Sequence, residues 1–308
     1  MRVLVTGGAG FIGSHVVERL LGEGHAVSVV DDLSTGRREQ VDAGAALHVL
    51  DLRDPGLAAV VRAAAPEAVV HLAAQASVPR SVADPLADAS VNVWGTIALL
   101  EGCRQAGVGR VVYASSGGAA YGDTDVLPTP EDHPTRPASP YGASKLAAER
   151  YLDYWGGVTG VATLTLRLAN VYGPRQRPHG EAGVVAIFSA RLLDGQACVV
   201  NGDGEQTRDF VYVGDVADAV AAAIARPGAA GVVNLGTGVA TSVNQLYRRL
   251  QQVTGVEAPA RHGPPVPEQR RSVLAATRAR ALLGWTPRTA LDDGLRQTVD
   301  HFRKERPA

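Results

Sequence analysis

Tyr141 and Lys145 stand four residues apart in Ser139-Pro140-Tyr141-Gly142-Ala143-Ser144-Lys145, directly ahead of Leu146-Ala147-Ala148-Glu149-Arg150. Four residues is about one helical turn, so a phenol and an ammonium share one helix face. A cation beside a phenol favours its charged form, which predicts a Tyr141 that releases its proton more readily than free tyrosine. Of 30 basic residues, only Lys145 and Lys304 are lysine. Lysine and arginine serve helices about equally well, but a slim ammonium differs chemically from a planar guanidinium fork. Position 145 is therefore expected to need lysine for its chemistry. A stray Tyr–Lys pair on a surface helix is the plainer reading, and it fails only because of what stands upstream.

Thr6-Gly7-Gly8-Ala9-Gly10-Phe11-Ile12-Gly13 lies between a β-favouring run, Arg2 to Thr6, and a helical pattern from Phe11 to Leu21. The stretch satisfies G-x-G-x-x-G through Gly8, Gly10 and Gly13, and G-x-x-G-x-x-G through Gly7, Gly10 and Gly13. Glycines there allow a tight turn and let backbone N–H groups approach a pyrophosphate at the positive end of the helix. A glycine motif alone is weak; the strand–turn–helix context is what confirms it. Asp31 ends the second strand pattern, 18 residues after Gly13. A carboxylate there accepts from a ribose diol and repels a 2′-phosphate, which favours NAD over NADP. Arg37 and Arg38 keep NADP as the minor alternative, and a simple turn after a strand is the alternative for Asp31 and Asp32.

Strand-like and helix-like segments alternate through the first half, the mark of a parallel sheet with crossover helices. Further strands are expected at Ala26 to Val30, Ala46 to Leu50, Ala68 to Leu72, Arg110 to Ala114, Val161 to Leu168 and Val232 to Leu235. Helices are expected from Pro55 to about Ala65, over one long region from Asp84 to Ala106, and from Pro140, where Ser139 is a good N-cap and the proline suits the first turn. The fold class is α/β: a Rossmann-like doubly wound sheet over residues 1–173, rejoined by a returning segment near 209–238, and a smaller C-terminal α/β lobe over 174–308.

With 45% hydrophobic and 20% charged residues and a net charge of −1 over 308 residues, the chain gives no electrostatic reason to expect a nucleic acid or a membrane surface as partner. Cys103 and Cys198 form no redox or disulfide pattern. The eight histidines show no metal-ligand spacing, so no metal is expected. No signal-like leader or span-length apolar run is found, and the expectation is a soluble cytoplasmic protein.

The glycine turn, Asp31, Asp51-Leu52, His71-Leu72-Ala73-Ala74, Asn92-Val93-Trp94-Gly95-Thr96 and Tyr141-x-x-x-Lys145 occur in that order. Together with Arg167 to Pro174, Arg208 to Val213 and Leu282 to Trp285, they resemble the extended short-chain dehydrogenase/reductase superfamily, and more closely its nucleotide-sugar epimerases of the UDP-glucose 4-epimerase type. The resemblance implies bound NAD held by Gly7, Gly10, Phe11, Ile12, Gly13, Asp31, Asp32, Asp51, Leu52, Leu72, Ala73, Ala74, Asn92, Tyr141 and Lys145. It implies a catalytic serine after the fifth strand, where Ser115 and Ser116 are the candidates. The Gly117-Gly118 pair that follows favours Ser116, with strand capping as the alternative role for either. Asn170, Val184, Asn201, Arg208 and Ser272 are the implied contacts to a UDP-sugar, besides Ser116 and Tyr141. For Asn170 the alternative is a turn residue, and for Arg208 an ion pair with Asp209. Asn92 is either part of a water network or a packed polar group, and His71 is expected to be structural. A homodimer through the helices following Asp84 and Pro140 is implied as well.

The implied reaction interconverts UDP-galactose and UDP-glucose. Tyr141 takes the O4 proton while NAD accepts the hydrogen at C4, and the 4-keto sugar then presents its other face. Two departures stand out. Pro265-Val266-Pro267-Glu268 lacks the arginine that relatives carry in an R-x-G-E stretch, with Arg270 or Arg271 as substitutes or simply solvated surface residues. A position often filled by a large residue falls near Ser272, which predicts room for the N-acetyl group of UDP-GlcNAc and UDP-GalNAc. Sister activities are the alternatives: a uronate epimerase, a decarboxylase or a 4,6-dehydratase, the last disfavoured because Gly117-Gly118 stands where an acid pair is needed. A catalytically silent NAD-sensing protein is the alternative from another class.

Overall fold

A computed structural model describes residues 1–178, 183–266 and 268–306. Strand Arg2–Thr6 (β1) is buried from Val3 onward, and its side chains point alternately to two different cores. Val3 and Val5 face one apolar layer and Leu4 the other, as a strand covered on both faces requires. Around it lie Ala26–Asp31 (β2), Ala46–Val49 (β3), Ala68–His71 (β4), Arg110–Ser116 (β5) and Ala162–Leu168 (β6), with Gly231–Leu235 on the far edge. The order across the sheet is Gly231–Leu235, β6, β5, β4, β1, β2, β3, with every pairing parallel. The winding reverses between β1 and β4, which opens a crevice beyond their carboxyl ends, the usual ligand position in such sheets.

Helix Phe11–Gly22 (α1) packs with Val213–Ala225 on one face. Helices Leu57–Ala64, Gly95–Ala106 and Pro140–Thr159 cover the other. A third core, built on Tyr172, Phe188, Leu192, Leu246, Leu250, Leu295 and Val299, lies under helices Val184–Leu193, Val243–Thr254 and Leu291–Lys304. The chain does not divide in simple sequence order. Residues 213–225 and 231–235 lie with the sheet, and so do Ala279, Leu283 and Trp285. The Trp285 indole N–H donates to Asp215 O at 2.7 Å, tying that tail to the sheet-covering helix.

Two helices differ from expectation. The one predicted from Pro55 begins at Leu57, because Gly56 N–H is taken by the Asp54 carboxylate in a local turn. The long helical region predicted from Asp84 to Ala106 runs unbroken from Pro85, but passes through a wider π turn at Ser90–Trp94 between the α-helical stretches Pro85–Ala89 and Gly95–Ala106. Wide turns of this kind concentrate at functional positions. Here the turn contains Asn92, whose buried side chain bonds backbone outside the helix.

Candidate active site

The glycine turn is shaped by two close approaches. Gly7 has φ +72°, and its N–H donates to Val30 O, which binds the turn to the neighbouring strand. A Cβ on Gly13 would sit 2.0 Å from the Gly7 carbonyl oxygen and 2.7 Å from Gly8 Cα. No side chain caps α1 at Gly10, so the first-turn N–H groups of Phe11, Ile12 and Gly13 keep their donor capacity for an anion. All four residues line a cleft of about 770 Å³. The turn thus suits a dinucleotide pyrophosphate: free donors, a positive helix end and no side chain in the way. Gly13→Ala should force Gly7 and Gly13 apart and abolish NAD retention, read as the protein-bound absorbance of NAD after gel filtration. Retention at the wild-type level would mean that this contact does not shape the turn.

Asp31 is buried, and its two carboxylate oxygens accept from Ala9 N and Leu33 N, both at 2.9 Å. Burial pushes its carboxyl above the ordinary range, with the two backbone donors opposing and Asp32 adding to the rise. Each oxygen retains a lone pair for a ribose hydroxyl. Asp32 is exposed and accepts from Ser34 N–H and O–H, the turn role weighed for it, while also lining the cleft. Arg37 and Arg38 are exposed and are not among the cleft-lining residues. Asp51 lines the cleft with Leu52 and is gripped by Arg53 through Nε at 2.8 Å and a second nitrogen at 2.5 Å. That pairing holds the Asp51 carboxyl below its usual range.

Leu72, Ala73 and Ala74 run along the cleft floor, followed by Gln75. Asn92 Oδ1 accepts from Gln75 N–H and its Nδ2 donates to Gln75 O, both at 2.9 Å; that nitrogen also faces Asp88 Oδ1 and Ser144 Oγ. Asn92 is therefore a packed polar group that joins the cleft floor to the Tyr141 helix. His71 is fully buried between Thr6 Oγ1 at 2.7 Å and Thr96 Oγ1 at 2.9 Å. Burial lowers its pKa to about 3, with Lys145 adding, so it is neutral and structural.

Ser139 caps the Tyr141 helix by accepting from Gly142 N–H. Strand alternation turns Tyr113 and Ser115 toward that helix. Ser115 Oγ donates to Glu149 Oε1 at 2.5 Å, and the same carboxylate holds Arg167 at 3.1 and 2.7 Å, all of it buried. Ser115 is thereby committed to structure. Ser116 ends β5, half-buried, with its hydroxyl beside the Tyr141 phenol.

The expected acidity of Tyr141 requires correction. Burial pushes its pKa up to about 12, the Ser116 hydroxyl pulls it down, and Asp88 pushes it up. Desolvation is the largest cause, and the opposing pull comes from the Ser116 hydroxyl rather than from the Lys145 pairing that helix spacing suggested. Lys145 instead responds to the same burial by falling to about 7, with Glu149 and Asp88 opposing.

The substrate-side residues are more dispersed. Asn170 begins the short strand Asn170–Tyr172 and Asn201 ends Val199–Asn201; both side chains are exposed. Val184 opens its helix and packs partly on the third core. Ser272 is buried in register with Arg208, and a Cβ on Gly118 would lie 2.9 Å from its hydroxyl, so Ser272 backs the stretch after Ser116. The ion pair weighed between Arg208 and Asp209 does not form. Asp209 is enclosed by Thr237, Gly238 and Leu274 donors, and Arg208 bonds Glu268 at 2.6 Å. Arg270 and Arg271 are paired with Asp203 and Asp125 at the surface. Pro267, in the segment lacking the relatives' arginine, lies outside the described residues.

Sequence reasoning missed Gln75, Arg53, Arg175 and Arg177, which also line the cleft. Gln75 adjoins the His71-Leu72-Ala73-Ala74 run and could have been included on that ground; the arginines carried no local signal.

The chain matches the NAD dependent epimerase/dehydratase family over residues 3–236. It is 48% identical over 311 aligned residues to the UDP-glucose 4-epimerase of Mycolicibacterium smegmatis, covering 99% of each chain. Among solved structures it is similar to the UDP-glucose 4-epimerase of Thermotoga maritima with UDP-glucose, at TM-score 0.96 and 45% identity, with 99% of each chain covered. It is also similar to the Thermus thermophilus UDP-glucose 4-epimerase in complex with NAD, at TM-score 0.95 and 47% identity, over 99% of this chain and 100% of that one. With the family match spanning the whole sheet, the glycine turn and the Tyr141–Lys145 helix, the chain belongs to the NAD dependent epimerase/dehydratase family.

Proposed function

We propose that the protein is an NAD-dependent isomerase, a UDP-glucose 4-epimerase that interconverts UDP-galactose and UDP-glucose through a 4-keto sugar. The observation that carries this reading is end-to-end similarity, at 45–48% identity, to three proteins of that name. The uncapped glycine turn, Asp31 and the Asp51 edge are the residues that would hold NAD. Bound NAD supplies the reversible oxidant for the sugar C4–H. Tyr141 Oη takes the O4 proton and later returns it, while Ser116 Oγ lies beside that phenol to orient O4 and share the proton. Lys145 brings positive charge to the same pocket. Asn170, Val184, Asn201 and Arg208 would grip the nucleotide, with Arg208 exchanging or sharing Glu268 for a phosphate.

A dehydratase fits poorly. A Cβ on Gly117 would be 2.5 Å from Leu274 Cδ1, and one on Gly118 would press on Ser272. An acid pair there would require Leu274 and Ser272 to shift, and this chain carries Gly117-Gly118 instead.

Small, buried Ser272 supports acceptance of N-acetylated sugars. The exposed apolar side chains Val82, Leu86, Tyr151, Tyr154 and Val158, on the helices after Asp84 and Pro140 and the short helix before them, support a homodimer. No helix among the described residues is long and apolar enough to cross a membrane. The two buried, unpaired cysteines accord with a reducing, cytoplasmic setting.

Incubation with UDP-galactose, without added NAD, should yield UDP-glucose on chromatographic separation. Parallel incubations with UDP-GalNAc and UDP-glucuronate should convert the first and leave the second. No conversion of UDP-galactose would remove the proposed reaction, and inert UDP-GalNAc would remove the N-acetyl reading.

A further inference from the structure

Lys145 presents an unusual problem in electrostatics. Its side chain is buried, and no carboxylate among the described residues lies within ion-pair distance of it. The groups that act on it are Glu149 from its own helix, Asp88 from Pro85–Ala89, His71 from β4 and Tyr113 from β5. Glu149 is committed to Ser115 and Arg167. Asp88 Oδ1 is taken by Gln75 and Asn92; its buried Oδ2 has no hydrogen-bond partner among the described residues and acts on Lys145 as a charge, beyond ion-pair distance. His71 is neutral. What remains in direct contact is an aromatic face: Lys145 Nζ lies 4.3 Å from the Tyr113 ring centroid. A ring face attracts an ammonium, and most strongly when water is excluded.

The ring is itself fixed. Tyr113 stands opposite His71 in the β4–β5 register, with ring centroids 5.3 Å apart and planes at 35°. His71 is pinned by Thr6 and Thr96. The Tyr113 hydroxyl is buried and has no hydrogen-bond partner among the described residues. A phenol in this position contributes its π face.

We propose that Tyr113 is a positioning residue that seats the Lys145 ammonium on its ring face, with the Thr6–His71–Thr96 group holding that ring in place. The seat is a geometric claim about this chain; its kinetic consequence rests on the proposed epimerase reaction. The fall of the Lys145 pKa to about 7 is consistent with a cation kept by a ring and by no salt bridge.

Because the chain has two lysines, protein grown with 13Cε-labelled lysine gives two side-chain resonances, and Lys304→Arg assigns them. In the wild type and in Tyr113→Phe the Lys145 signal should show a ring-current displacement and titrate alike. In Tyr113→Leu the displacement should vanish. Without the ring the charged form loses support, so the titration midpoint should fall, by about one pH unit. UDP-galactose turnover should follow: Tyr113→Phe near wild type, and Tyr113→Leu lowered in kcat by about tenfold, with little change in KM and a loss of rate that sets in at lower pH as pH rises. If Tyr113→Leu does not fold by circular dichroism, Tyr113→Met is read in its place. A wild-type Lys145 resonance and titration in the Leu or Met variant would overturn the proposal, as would a Phe variant as impaired as Leu. A wild-type enzyme inert toward UDP-galactose would remove the reaction and leave the lysine titration to decide the seat.

Discussion

Tyr141→Phe should retain bound NAD and lose UDP-galactose turnover by about 10²–10⁴-fold, the usual contribution of a positioned acid–base group. The two side chains differ by one oxygen, and that oxygen lies beside the Ser116 hydroxyl on a half-buried residue. With the phenol pushed up to about 12 by burial, the protein's own side chains hold it neutral at physiological pH. A base above the working pH gives a rate that climbs with pH, about tenfold per unit below its effective pKa. Whatever positive charge the bound dinucleotide brings moves that limb to lower pH. The wild type should therefore show a rising acid-to-neutral limb, and Tyr141→Phe a flat residual rate. Steady-state assays across pH, with NAD content measured on the same samples, check both points. Near-native turnover by the Phe variant would take Tyr141 out of the chemistry.

Glu149→Leu should destabilise the fold by about 3–5 kcal/mol, the range for stripping one partner from a buried ion pair. Glu149 and Arg167 are both nearly sealed from water, and one Arg167 nitrogen has no hydrogen-bond partner among the described residues. Removing the carboxylate strands the guanidinium and also frees the Ser115 hydroxyl. The double variant Glu149→Leu/Arg167→Met should recover much of the loss, since two apolar side chains leave no buried charge behind. Urea unfolding midpoints with unchanged slopes provide the measurement. A loss under about 1 kcal/mol in the single variant would show that Arg167 finds water or another partner. Because Ser115 precedes Ser116, the variant should also loosen the strand end that carries the site.

Distance along the chain separates what was legible from what was not. Gly7 to Gly13, the alternation of strand and helix, and the Ser139 cap could be read because each depends on neighbours within a turn or two: a left-handed φ, a repeat period, one N–H to satisfy. The same locality placed Tyr141 and Lys145 on one helix face. It could not give the sign of the Tyr141 shift, because that depends on burial by the packed fold and on the charge of Asp88, 53 residues upstream on another helix. The Gly117-Gly118 pair favoured Ser116 over Ser115, but only the structure shows what engages the first hydroxyl: the carboxylate of Glu149, 34 residues downstream.

The sequence by itself determined the doubly wound α/β sheet, the dinucleotide turn with its Asp31 partner, and the Tyr141–Lys145 pair, since period, turn chemistry and helical spacing are properties of short stretches. Only the tertiary structure decided that the 84–106 helix widens to a π turn around Asn92, that Arg208 pairs with Glu268, that Trp285 returns to the sheet, and that Lys145 rests on an aromatic face. Those outcomes depend on which distant groups exclude water or supply a partner, and burial is a property of the packed molecule.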